Sequence, residues 1–214
     1  MVDKVSFRVE PGQVLGIVGP NGCGKTTTLR MLLGLARPTS GRALIDGRPL
    51  LEHSCPADVA GAVFVGPVGP PGRSATAQIR LIAAAAGADR RLVEVGLGED
   101  AGRRLGTFST GTQRRMALAV GTIASPRALV LDEPTAGLDP VASSAVWELT
   151  ADRAQSGSAI CVASHVLDDL LRVADRIIVM VEGRIEFHGT PGEFSDSGQA
   201  PGRALAALVA SEAL

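Results

Sequence analysis

The sequence predicts an α/β fold around a mainly parallel sheet, with an antiparallel β part near its N-terminus and an inserted helical region. Three observations carry this. Apolar strand-like runs alternate with helix-like runs along most of the 214 residues. The glycine-rich segment GPNGCGKTT (Gly19–Thr27) falls between one such strand and one such helix. A Pro/Gly-rich stretch followed by consecutive helical patterns interrupts the alternation once, in the middle.

In order, Val5–Val9 and Val14–Val18 read as strands and Thr26–Leu35 as a helix. Ala43–Ile45 and Arg48–Leu51 flank Asp46-Gly47, a hairpin signal. Ala62–Val65 is a further apolar run. Residues 66–73 (GPVGPPGR) are too rich in Pro and Gly for regular structure. Helices are expected at Ala75–Ala86, Arg90–Val95 and Thr110–Ile123, so residues 66–123 read as a helical insertion. The alternation then resumes: strand Ala128–Leu131, helix Val141–Ala154 behind Pro140, strand Ala159–Ala163, helix Val166–Val173, strand Ile177–Val181. A hairpin at Glu182–Phe187 and an amphipathic helix at Arg203–Ala213 close the chain. No linker or repeat divides it, and a single domain over residues 1–214 is expected.

Bulk properties narrow the function classes. A net charge of −1 gives no drive toward nucleic acid or anionic lipid. No apolar run is long enough to span a bilayer, and MVDKVSFRVE is not a signal peptide. Cys23, Cys55 and Cys161 have no ligand-like spacing and read as reduced thiols of a cytoplasmic protein.

Chemistry concentrates in a few segments. In Gly19–Thr27 the spacing Gly-x-x-x-x-Gly-Lys-Thr makes a phosphate-binding loop: backbone N–H groups and a helix N-terminus face the anion, Lys25 reaches the β/γ-phosphates, and the Thr26 hydroxyl holds Mg²⁺. ALVLDEPTAGLD (Ala128–Asp139) ends a buried strand in two carboxylates. Asp132 there suits Mg²⁺, directly or through water, and Glu133 can orient or deprotonate an attacking water. FSTGTQRR (Phe108–Arg115) opens a helix behind a hydroxyl; read alone it is a cap at Ser109 or Thr110. His165 follows an apolar strand, and a lone histidine there is usually a solvated loop residue. His53 and His188 read as surface residues, and Trp147 as core packing.

Together these segments resemble the ATP-binding subunits of ABC transporters. GPNGCGKTT matches the family's Walker A motif, ALVLDE its Walker B, Ala136–Asp139 (AGLD) its D-loop, and His165 its switch histidine. FSTGTQRR stands where the signature LSGGQ belongs. The motifs occur in family order over nearly the whole chain, which is most similar to the bacterial drug- and antibiotic-export type. The resemblance implies a P-loop NTPase fold of the ABC type that binds ATP and Mg²⁺. Gly19, Pro20, Asn21, Gly22, Cys23, Gly24, Lys25, Thr26 and Thr27 would cradle the phosphates, with Thr26 and Asp132 at the metal. Glu133 would be the base and His165 the γ-phosphate sensor. Ser109 and Gly111 would close on ATP held by a second copy, with Asp139 coupling the two sites. The partners implied are a paired ATPase, in a homodimer or heterodimer, and separate membrane permease subunits, which would hold the chain at the inner face of the cell membrane. No nucleic-acid partner is implied.

Three departures qualify this expectation. The aromatic ring that the family places before Walker A, to stack on adenine, is absent: the chain has no tyrosine and Phe7 lies within a predicted strand. Either an N-terminal piece is missing or adenine stacking is weak. Val65 stands where the family puts a polar Q-loop residue, and a hydrocarbon can neither bind Mg²⁺ nor hold water; Gln78, on a predicted helix, is a poor substitute. Thr112 replaces the signature Gln and Thr110 its first Gly. The alternative reading is therefore a weakly hydrolysing or regulatory nucleotide-binding subunit. A translation or DNA-maintenance ATPase would carry paired domains, long coiled coils or zinc modules, none of which is present, and no base-reading or lid pattern of a P-loop kinase or GTPase is visible. The transported substrate is not encoded here.

Overall fold

The computed structural model describes residues 1–87 and 98–196. Six strands form one sheet: β1 (Val14–Val18), β2 (Ala60–Val63), β3 (Ala128–Asp132), β4 (Ala159–Ser164), β5 (Arg176–Val181) and β6 (Arg184–Gly189), in the order β2-β3-β4-β1-β5-β6. β1 to β5 run parallel and β6 returns antiparallel against β5. All five residues of β1 are buried, as expected of a strand covered on both faces.

The helices follow from the same alternation. On one face lie α1 (Lys25–Leu32) and the N-terminal segment, where Leu29 and Leu33 meet Leu15, Ile17, Val130, Cys161, Ile178 and Met180. On the other, α5 (Pro140–Gln155) and α6 (Leu167–Val173) bring Val146, Leu167 and Leu170 onto Val14, Val18, Leu131, Ile160, Val162 and Ile177. Successive strand residues thus feed opposite cores, which fixes the register. Between β2 and β3 come α3 (Ala75–Ala85) and α4 (Thr110–Thr122) with their own small core of Ala75, Ile79, Leu105, Phe108 and Met116. The chain ends its described part in α7 (Pro191–Asp196), behind a reciprocal cap: Thr190 N–H donates to Glu193 Oε2 at 2.6 Å and Glu193 N–H to Thr190 Oγ1 at 3.2 Å.

Several expectations shift. Residues 5–9 form no strand, although Val5, Phe7 and Val9 are half-buried and Ser6 and Arg8 exposed. Their period-two pattern comes from lying across the α1-side core without a ladder partner. At Asp46-Gly47 both residues have positive φ (50° and 77°), as a tight hairpin turn requires, but pairing stops at the single bridge Ile45–Arg48. The N-terminal antiparallel part is thus one bridge, and the antiparallel ladder lies between β5 and β6. The run expected as Ala62–Val65 forms its strand two residues earlier, where Ala60–Val63 pairs with Ala128–Leu131. The short helix α2 (Pro56–Val59) was not anticipated. The helices expected at Arg90–Val95 and Arg203–Ala213 lie outside the described residues.

β2 sits close to α4 because Gly61 and Gly121 face one another: a Cβ on Gly61 would run into the Gly121 carbonyl oxygen. Gly61→Ala should therefore cost at least about 1–3 kcal/mol, the range for overpacking. A thermal melt checks it; an unchanged Tm contradicts this packing.

Candidate active site

The parallel strands end at one edge of the sheet, and the predicted loop, carboxylates and histidine all emerge there. β1 leads directly into Gly19, where a Cβ would collide with the Met180 carbonyl of the neighbouring β5. Gly24, the cap of α1, has φ 111°, a conformation that side chains resist. Pro20 is half-buried, Asn21, Gly22 and Thr27 are exposed, and Lys25 is buried. Its ammonium donates to the carbonyl oxygens of Gly19 at 2.6 Å and Pro20 at 3.1 Å, spanning the loop it belongs to.

The Cys23 side chain turns inward. It is buried in the core with Leu15, Ile17 and Leu29, and the Cys23 N–H donates to Pro20 O at 3.3 Å. A small apolar thiol fills the space under the loop, so the Cys23 side chain is a packing group. Cys161 is also buried, and burial pushes its thiol up to about 12. Thiol reagents should label half-buried Cys55 in the folded protein well before Cys23 or Cys161; equal rates at Cys23 would contradict its placement.

β3 ends at Asp132, opposite Ala163 of β4. Thr26 Oγ1 donates to Asp132 Oδ2 at 2.8 Å, while Asp132 Oδ1 is buried with no hydrogen-bond partner. A hydroxyl and a carboxylate are hard oxygen donors, and an unpartnered buried oxygen beside them is what a divalent cation would satisfy, so the residues fit Mg²⁺. Among the described residues no cluster of three or more His, Cys, Asp or Glu side chains could hold a metal alone. Mg²⁺ here would complete its shell with phosphate oxygens and water.

The next residue, Glu133, has φ 49°, unusual for a side-chain-bearing residue and worth roughly 1–3 kcal/mol of strain. Its N–H donates to Ala163 O at 2.8 Å, which anchors the bend. Ser164 Oγ accepts from Val166 N–H at 3.0 Å and turns the chain after β4. These two bends bring Glu133 Oε2 and His165 Nδ1 to 2.7 Å. The His165 side chain is 53% exposed and that of Glu133 16%, so the pair faces outward from the sheet edge.

The other predicted residues form a second group. Ser109 caps α4 and Asp139 caps α5, its Oδ1 accepting from Ala142 N–H at 2.9 Å ahead of Pro140. Asp139 thus has a helix-capping role that the resemblance did not imply. A Cβ on Gly111 would lie 3.7 Å from Leu138 Cδ2, and one on Gly137 3.2 Å from Thr110 Cγ2, so the start of α4 rests on the loop before α5.

Val65 lies beyond the end of β2 and is 63% exposed. Gln78 is buried and engaged: its Nε2 donates to Val68 O at 2.9 Å and its Oε1 accepts from Arg73 at 2.5 Å, which ties down the Pro/Gly loop. His53 is half-buried with Nε2 2.9 Å from Ile45 O, and His188 is exposed beside Arg176. Trp147 packs against the α5-side core.

Arg114 was missed. It is 6% exposed, and Nη1 reaches the Phe64 carbonyl at 3.5 Å. Burial pulls its pKa below the ordinary value, with Asp132 and Glu133 opposing that shift. It is therefore a buried cation that feels the charge of both carboxylates. The signal was present: Arg114 precedes Ala117, Leu118 and Gly121 at helical spacing, placing a cation on the buried stripe of α4.

Comparison with known proteins agrees with this geometry. Residues 2–136 match the family described as ABC transporter. The chain is 35% identical over 207 residues to Nod factor export ATP-binding protein I of Cupriavidus metallidurans, covering 92% of this chain and 68% of that protein. It is 35% identical over 208 residues to the daunorubicin/doxorubicin resistance ATP-binding protein DrrA of Streptomyces peucetius, covering 92% of this chain but 62% of that one. A solved ATP-binding subunit of an ABC transporter superimposes with a TM-score of 0.85 at 25% identity, over 98% of this chain and 92% of its own. The chain belongs to the ABC transporter family, as one of its ATP-binding, ATP-hydrolysing cassettes.

Proposed function

We propose that this chain hydrolyses ATP to drive export through separate membrane subunits, and that the substrate is a drug, antibiotic or lipid-like molecule. The observation that carries the reading is the Glu133–His165 pair at 2.7 Å beside the Thr26–Asp132 pair at 2.8 Å. The substrate class rests on the resistance and export relatives alone. In this reading residues 1–214 work as a single ATPase domain with 66–123 as its helical insertion, attached from the cytoplasm to a permease at the membrane. None of the described helices is long and apolar enough to cross a bilayer. An apolar hollow of about 280 Å³, lined by Pro67, Val68, Pro71, Leu105, Phe108 and Met116, would receive the permease.

Lys25 would turn from the loop carbonyls to the β/γ-phosphates, and loop N–H groups would hold the phosphate oxygens. Mg²⁺ held by Thr26 and Asp132 would neutralise phosphate charge. Glu133 takes a proton from water as its oxygen bonds to the γ-phosphorus; the bond to the bridging oxygen breaks and ADP leaves with that electron pair. With Nδ1 committed to Glu133, His165 Nε2 is the ring atom left to face the γ-phosphate. Ser109 and Gly111 of a second copy would close the site, and Asp139 would couple the two sites. The test is phosphate release by the purified chain with MgATP. Specific activity should rise with chain concentration, since each site needs two copies; no turnover at any concentration would overturn the reading.

A weakly hydrolysing subunit is the second reading, favoured by Val65. Because Val65 is exposed, Val65→Gln buries no amide and should leave Tm unchanged. If a polar group is missing there, turnover should rise several-fold. Unchanged turnover would show that the position plays no part.

A further inference from the structure

Ser109 does not stand alone at the start of α4. Its Oγ accepts from the Thr112 N–H at 3.2 Å and lies 3.0 Å from Thr112 Oγ1. Thr112 is 5% exposed, whereas Ser109 is exposed. Arg115 Nη2 points at Thr112 Oγ1 at 3.4 Å, and an arginine only donates. Arg115 lies 3.8 Å from Asp100, which Arg103 holds at 2.6 Å, so the chain of contacts is anchored outside the helix.

Either hydroxyl could donate across the 3.0 Å contact, and burial is what favours one direction. A buried hydroxyl hydrogen needs an acceptor, and the acceptor facing Thr112 is Ser109 Oγ. With Thr112 donating, both lone pairs of Ser109 Oγ are taken, one by the Thr112 N–H and one by its O–H. The Ser109 proton is then the only hydrogen-bonding capacity left, and it lies on the exposed side. A hydroxyl confined to donation suits a phosphate oxygen, which can only accept, and donation into Ser109 polarises its O–H further.

We propose that Thr112 is a positioning residue that commits the Ser109 hydroxyl to donate to the γ-phosphate of ATP held by a second copy, with Arg115 setting the polarity of Thr112. The proposal rests on the reading of Ser109 as a phosphate contact made across a dimer. Thr112 stands where a glutamine stands in the signature LSGGQ, so the device belongs to this chain's own departure from that pattern.

The test measures MgATP turnover, ATP-dependent dimer formation by sedimentation, ATP binding to the monomer and Tm. Thr112→Val keeps the shape and removes the hydroxyl. It should lower turnover and dimer affinity about fivefold, the worth of one ordinary hydrogen bond, with monomer binding and Tm held. Thr112→Ser should restore both. In a Ser109→Ala background Thr112→Val should add nothing, because its effect passes through Ser109. Arg115→Met, at an exposed position, should lower turnover in the same direction and gives a second probe should Thr112→Val fold poorly. Wild-type behaviour of Thr112→Val, failure of Thr112→Ser to restore it, additivity with Ser109→Ala or a silent Arg115→Met would each overturn the proposal. If Ser109→Ala is itself silent, the underlying reading of Ser109 falls; if it is impaired while Thr112→Val is not, only the role of Thr112 falls.

Discussion

Glu133→Gln is expected to cut ATP turnover by about 10²–10⁴, the usual contribution of a positioned general base, while ATP still binds. Position and backbone single this residue out. It follows the metal-site carboxylate by one residue, has φ 49°, and meets His165 Nδ1 at 2.7 Å. The amide keeps the size of the side chain and a carbonyl oxygen for the histidine, so the strained bend and its Ala163 anchor should persist. What disappears is the ability to accept a proton from water at neutral pH. ATP then stays intact between two copies, and the variant should sediment as a dimer with MgATP where the wild type returns to monomer. Near-normal turnover in Glu133→Gln would remove this residue from the chemistry.

Lys25→Ala should weaken nucleotide binding strongly. The Lys25 ammonium is buried and holds the carbonyl oxygens of Gly19 and Pro20 at 2.6 and 3.1 Å. In the free protein it fixes the loop, and in the bound state the same charge serves the phosphates. Charge-assisted hydrogen bonds are worth about 1.5–3 kcal/mol each, so losing those to the phosphates should weaken ATP binding by roughly tenfold to several hundredfold. Titration with a fluorescent ATP analogue measures this directly. The variant's apo form should also melt lower, because the buried Gly19 carbonyl and the part-buried Pro20 carbonyl lose their partner. Wild-type affinity in Lys25→Ala would mean that the ammonium stays on the loop when ATP binds.

The sheet was legible because covered parallel strands are short apolar runs: Val14–Val18 was read to the residue, and β3, β4 and β5 to within one. Where local pattern and long-range pairing differ, the sequence misleads. Residues 5–9 alternate like a strand because one side lies on a core, yet no ladder forms. The Ala62–Val65 run was displaced because pairing with β3 and the Gly61–Gly121 approach fix β2, and neither is visible locally. The site divides in the same way. Motif spacing brought forward Lys25, Thr26, Asp132, Glu133 and His165. It said nothing of the Cys23 side chain turning inward, the left-handed backbone at Glu133 or the Asp139 cap, since each is a matter of direction. Arg114 was the one miss with a legible signal, a cation on an apolar stripe.

Whether the two groups of site residues work across copies is settled by mixing two impaired variants at an ATP concentration that saturates the wild type but not Lys25→Ala. Ser109→Ala retains an intact phosphate loop, and Lys25→Ala retains an intact start of α4. If ATP is held by the loop of one copy and Ser109 of the other, a mixed dimer contains one site with both parts unaltered. Mixing the two impaired proteins should then raise ATP turnover well above the sum of the separate preparations, rising with the fraction of mixed dimers. A mixture no more active than that sum would contradict the account, because it would mean that Lys25 and Ser109 must belong to the same chain.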